Sequence, residues 1–310
     1  MLKRFVPGSV LVAVAAIAGL LRLRGTQPID DATFKGFYDQ SGPAPEIPQI
    51  VFHLGHSLVG PDMPEMLKQL AGDAHDYSSQ IGWGTPLRAH WDPNETINGF
   101  ELHNIPHEFK GAKEALSSGR YNTLVLTEMV EIRAAIKYFE SAKYLHKWIQ
   151  LGRRANPEMR IFLYETWHQL DDPEGWLNRI DTDLDRYWEQ GILRRALSFE
   201  DTPSPVYIIP AGQVMARFVR EIERRGGVGP IAGRGDLFTD EIHLNDYGTY
   251  LVALTHYAVL YQTSPLGLRH TLTKSDGSFA ADPGPESALL MQETVWDVVK
   301  NYRPSGLGLS

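Results

Sequence analysis

Short apolar runs separated by helical stretches recur along this chain, and that pattern constrains its fold more than any other feature. The runs are 50–54 (IVFHL), 123–127 (TLVLT), 160–165 (RIFLYE) and 205–209 (PVYII), with a shorter candidate at 76–81. A strand that is apolar on successive residues has both faces buried, as in a parallel sheet covered by helices on each side. Helical patterns fill the gaps at 64–74, 107–118, 132–155, 174–197 and 213–225. Further helices fall within 244–262 and 283–302. Strands alternating with helices predict βαβ crossovers, and a site at the carboxyl ends of the strands.

The loops at that rim are where chemistry is sought. Ser57 follows the first strand in IVFHLGHSLVG, Gly82-Trp83-Gly84 follows the second, Glu128 the third, and Thr166-Trp167-His168 the fourth. A serine is a weak nucleophile unless a base takes its proton and a third group orients that base. Asp240 and His243 stand three residues apart in DEIHLNDYG, so the carboxylate can bond one imidazole nitrogen and leave the other facing a serine. Alone, such a pair is equally read as a helix cap with a nearby histidine.

Composition excludes other classes. Among 310 residues, 43% are hydrophobic and 22% charged, which argues against disorder, and the net charge of −8 gives no support for nucleic-acid binding. There is no cysteine, hence no disulfide, thiol nucleophile or cysteine-based metal site. His103 and His107 have the i, i+4 spacing of a zinc pair, but Pro106 interrupts the helix this would need, so no metal is expected. The glycine-rich 226–235 lacks the ending of a phosphate-binding loop and reads as a flexible loop. No cofactor is called for. His53, inside the first strand, reads as a satisfied buried histidine, and Glu131 as an acid at a helix start.

The N-terminus carries Lys3 and Arg4, an apolar run from 5 to 21, then Arg22 and Arg24. Residues 1–24 read as a signal peptide or single membrane anchor, which implies an exported, periplasmic, secreted or membrane-anchored protein. Residues 25–48, rich in Gly, Pro, Asp and Gln, read as a linker, and 49–310 as the folded domain.

Taken together, Gly55-His56-Ser57-Leu58 after the first strand, glycine after the second, and Asp240-x-x-His243 near the end resemble the SGNH (GDSL-like) hydrolase family over about residues 49–268. The resemblance implies a flavodoxin-like three-layer α/β/α sandwich with a five-stranded parallel sheet. It assigns Ser57 as nucleophile, His243 as base and Asp240 as orienter, with the N–H groups of Ser57 and Gly84 (Gly82 being the other candidate) as oxyanion donors. Two positions depart from the family pattern. His56 stands where a GDSL motif has aspartate, and Glu128 stands nearest to where the third block supplies an asparagine donor. Trp167, His168, His90 and Glu128 are candidate substrate contacts at the rim. The implied activity is hydrolysis of short-chain acyl esters, including acetyl esters on carbohydrate. An O-acyltransferase acting on an envelope polysaccharide and a catalytically weak carbohydrate-binding relative are the alternatives.

Overall fold

The computed structural model describes residues 27–104 and 108–307. Strands β1 (Gln49–His56), β2 (His75–Gly82), β3 (Thr123–Leu126), β4 (Arg160–Glu165) and β5 (Tyr207–Pro210) form a parallel sheet in the order β2-β1-β3-β4-β5. Nearly every strand residue is buried, as the continuous apolar runs require. Helices Asp62–Ala71, Asp246–Tyr261 and Gly284–Asn301 pack on one another as one layer. Ala112–Ser117, Ser141–Ala155 and the helical run 176–197 form the other. This is the three-layer α/β/α sandwich with flavodoxin-like strand order. Its order reverses between β1 and β3, which opens a crevice at their carboxyl ends.

Several elements differ from the sequence reading. The helix expected over 132–155 is two helices, Ile132–Phe139 and Ser141–Ala155, broken at Glu140, whose φ is +52°. The break lets the first helix lie on the run 184–193 while the second buries Leu145, Trp148 and Ile149. The helix expected over 107–118 is confined to Ala112–Ser117, and His107 lies outside the described residues. The described part of the expected linker belongs to the domain. Helix Asp31–Gly36, capped by Asp30, buries Phe34, and Tyr38 donates to the Val206 carbonyl at 2.7 Å. Phe34 lies on the helix and Tyr38 in the turn that follows it, and the two buried rings meet edge to face with centroids 5.1 Å apart. The leader at 1–24 lies outside the described residues; among those described, no helix is long and apolar enough to cross a membrane.

Three imidazoles lie buried beneath the sheet. His53 on β1 packs against His256 and, edge-on, Tyr77, and His75 opens β2. His53 is buried as expected but not satisfied: neither ring nitrogen has a hydrogen-bond partner among the described residues. Burial favours the neutral ring. It lowers His53 well below its usual value, His75 to about 3 and His256 to about 4. The unfolded chain binds protons on these rings below about pH 6.5 while the folded chain does not, so stability is lost as pH falls from there toward 4. Glu165 acts oppositely, since burial raises it to about 8 despite N–H donors from Gly212 and Gln213. With more buried imidazoles than such carboxylates, melting temperature measured against pH is expected to peak near neutrality and fall on acidification below about pH 6.5. His256→Gln, which removes one of these titrating groups, is expected to shallow the acid limb.

Candidate active site

Strand β1 runs two residues beyond its expected end, through His56, and releases the chain at Ser57. Gly55 is therefore a strand residue. Its role is close approach and not a turn, because a Cβ there would meet Thr127 Cγ2 of the neighbouring strand end at 2.6 Å. The turn itself closes on Gly60, whose φ of +59° suits glycine. Val59 N–H bonds the His56 carbonyl at 2.8 Å and the Tyr164 hydroxyl bonds the Leu58 carbonyl at 3.1 Å, so the backbone on both sides of Ser57 is held.

The loop carrying Asp240 and His243 comes to the same place from a distant part of the chain. His243 Nε2 lies 3.0 Å from Ser57 Oγ, a contact across 186 residues. His243 Nδ1 lies 2.7 Å from Asp240 Oδ2. The second carboxylate oxygen, Oδ1, accepts the backbone N–H of Ile242 at 2.8 Å and of His243 at 2.7 Å. Desolvation pushes the Asp240 carboxyl up, but the His243 N–H and ring together with the Ile242 N–H bring it down to about 2. A permanently ionised Asp240 keeps the proton of His243 on Nδ1 and leaves Nε2 as an acceptor toward the hydroxyl.

Four residues expected to contact substrate do other work. Glu128, Trp167, His168 and His90 are all buried, at 0%, 0%, 4% and 6% exposure, and none lines the cavity above Ser57. Each is a polar group buried with a partner, which removes it from solvent and from substrate. Trp167 Nε1 donates to the Ile242 carbonyl at 2.9 Å and so anchors the loop that carries His243. His168 Nε2 lies 3.1 Å from Asp183, which Arg179 also binds, and the His168 carbonyl accepts from Trp176. Glu131 caps helix Ile132–Phe139 by accepting the Arg133 N–H.

The remaining pair belongs to a buried network behind Ser57 that the sequence did not disclose. His56 Nε2 donates to the Glu128 carbonyl at 2.8 Å, while its Nδ1 accepts the Leu58 N–H at 3.4 Å. His90 Nε2 donates to the Gly55 carbonyl at 2.8 Å, and its Nδ1 accepts from Gln80 at 2.9 Å. Both rings are thereby neutral and each holds one tautomer; burial lowers both to about 4. The Glu128 carboxylate accepts N–H bonds from Met129 at 2.8 Å and from Leu87 at 3.2 Å. Burial raises it to about 7 against those bonds. Trp148 Nε1 takes the Leu87 carbonyl at 3.1 Å, so Leu87 is gripped from both sides. Leu87 ends the loop that bears Gly84. No pattern in residue spacing encodes the contacts of His56 with Glu128, His90 with Gly55 and Glu128 with Leu87, since each joins elements distant in the chain.

Ser57, Gly84 and His243 share a cavity of about 680 Å³. Gly84, with φ of +52°, has open space where a side chain would stand. Gly82 lies within β2, packed against Thr85 and Ile97, and does not line the cavity. Trp83 and His103 form part of the wall, edge to face with ring centroids 6.1 Å apart. The described residues hold no cluster of His, Cys, Asp or Glu suited to a metal ion.

No family model matches the chain, and no curated protein matches it. Solved structures do. A DUF4886 family protein from Bacteroides uniformis ATCC 8492 superposes with a TM-score of 0.53 at 13% identity, covering 81% of this chain and 94% of that one. A protein described as a GDSL-like lipase, from Parabacteroides merdae ATCC 43184, gives 0.45 at 11% identity over 71% and 99% of the two chains. The likeness is one of fold.

The network makes a prediction about stability. Glu128→Leu leaves two N–H groups unpaired and is expected to cost about 2–6 kcal/mol, at ~1–3 kcal/mol for each. Glu128→Gln keeps one acceptor oxygen and is expected to cost less. Urea unfolding of the two variants checks the order.

Proposed function

We propose that the protein is a serine hydrolase of the SGNH type that cleaves carboxylic esters. The observation that carries this reading is the continuous chain Ser57 Oγ, His243 Nε2, His243 Nδ1, Asp240 Oδ2, with bonds of 3.0 and 2.7 Å. It opens into a cavity that also contains Gly84.

In this reading Ser57 Oγ attacks the ester carbonyl carbon as His243 Nε2 takes the hydroxyl proton. The carbonyl oxygen becomes an oxyanion, for which the backbone N–H groups of Ser57 and Gly84 are the donors. The tetrahedral adduct collapses, the C–O bond to the alcohol breaks, and the imidazolium returns its proton to the departing oxygen. Water then attacks the acyl-serine, giving one proton to His243. The second collapse releases the acid, and His243 returns the proton to Ser57 Oγ. Asp240 stabilises the imidazolium in both halves without taking its proton.

A serine-reactive fluorophosphonate and a panel of aryl esters test the reading. The wild-type chain is expected to be labelled and to turn over, and Ser57→Ala to lose labelling and at least about 10⁴-fold in kcat. Asp240→Asn is expected to keep labelling at a reduced rate and to lose about 10²–10⁴ in kcat, because a neutral amide no longer dictates the imidazole tautomer. Labelling that survives Ser57→Ala sinks the assignment. Adding an alcohol acceptor separates transfer from hydrolysis: ester formed at the expense of free acid marks an acyltransferase.

A further inference from the structure

The cavity wall is far more apolar than an acetylated sugar requires. Leu58, Met63, Trp83, Val130, Ile242 and Leu244 face it, and among the described residues neither lysine nor arginine does. Most of the polar side chains on the wall are already engaged through at least one atom. Ser57 is bonded to His243, Asp62 accepts the Ser275 N–H and hydroxyl at 2.9 and 2.6 Å, and Thr249 donates to the Asn245 carbonyl at 2.8 Å. His103 is the exception among the described residues, and its ring lies against Trp83. A sugar needs several convergent donors and acceptors, and an anionic head group needs a cation; among the described residues this wall leaves only His103 and one Asp62 carboxylate oxygen for the first, and has no lysine or arginine for the second. Trp83, half exposed at 50%, adds a large apolar face at the mouth. A volume of about 680 Å³ lies well within the range that accommodates ligands much larger than an acetyl ester.

Building on the ester-hydrolase reading, we propose that this site selects uncharged esters carrying an extended apolar group, a medium-length alkyl chain or an equivalent ring, in preference to acetyl esters of carbohydrate. Burial of apolar surface supplies the selectivity, at a rate gain of about fourfold for each methylene removed from water. The gain ends where the chain outgrows the cavity.

The test uses the full-length chain with p-nitrophenyl acetate, butyrate, hexanoate, octanoate and palmitate. A parallel series of ethyl, butyl, hexyl and octyl acetates places the apolar group on the alcohol side. In one of the two series kcat/KM is expected to climb by about fourfold per methylene before levelling, and the series that climbs identifies which half of the ester the cavity holds. Trp83→Ala is expected to lower the ratio of the preferred ester to its shortest homologue. Inhibition by n-alkyl boronic acids, which form a tetrahedral adduct on serine without turnover, is expected to tighten with chain length if the acyl side is held. A flat or falling dependence in both series, with fluorophosphonate labelling of Ser57 intact, overturns the apolar-substrate proposal and leaves the hydrolase reading standing. Absence of both labelling and turnover overturns the hydrolase reading and this proposal with it.

Discussion

The pairing of β1 with β3 is the constraint on which the rest of the structure depends. Because the chain leaves β1 to build β2 on one side and returns to build β3 on the other, the loops after β1 and β3 diverge from a common edge. That divergence makes room for Ser57 at the end of β1 and for the loop of His243 arriving from beyond β5. Gly55 lets the strand end two residues before Ser57 close up against Thr127, and a Cβ there would meet the Thr127 methyl at 2.6 Å and Val59 at 3.1 Å. A misplacement of 1 Å at such a site is worth orders of magnitude in rate. A close contact between two inner strands is therefore tied to the geometry of the candidate site.

The sheet was legible because its signal is local. Runs such as TLVLT and RIFLYE have no polar face to offer solvent, and parallel strands follow from the helices between them. The meeting of Ser57 with Asp240 and His243 was legible from a different source, the order of short motifs that resemble a known family. Spacing alone leaves a helix cap as an equal explanation. What misled was position: Trp167, His168, His90 and Glu128 follow strand ends or lie in rim loops, yet all point inward. Whether a residue near a strand end faces the crevice or the core depends on loop conformation, and no periodicity reports that. Glu140 is the same failure at the level of elements, for nothing in its neighbours marks a left-handed residue inside an otherwise helical run.

The candidate site divides its labour by burial. Ser57, His243 and Asp240 stand in loops open to solvent, with about half of the His243 and Asp240 side chains exposed. The groups that hold those loops, His56, His90, Glu128 and Trp167, are buried. A reacting set must admit substrate and water, so its precision cannot come from its own packing. It comes from a surrounding shell whose hydrogen bonds lie in a low-dielectric interior, where leaving one unmade is costly.

That shell also bears on the two positions that depart from the pattern of the family the sequence resembles, because they meet. An aspartate at position 56 presents only acceptors when ionised, and so does a carbonyl. The Glu128 carbonyl facing that position at 2.8 Å therefore demands a donor, which the neutral His56 ring supplies. The Glu128 side chain turns the other way, onto the N–H groups of Leu87 and Met129, and an asparagine at 128, one methylene shorter, reaches less far toward Leu87. Residue 56 and residue 128 thus form one coupled solution: the histidine secures the end of β3, and the glutamate held there secures the loop of Gly84. Aspartate at 56 loses the bond to the end of β3, whereas asparagine at 128 loosens the bond to Leu87 and leaves in place the backbone carbonyl that His56 meets. The two positions act in series, joined through the backbone of residue 128.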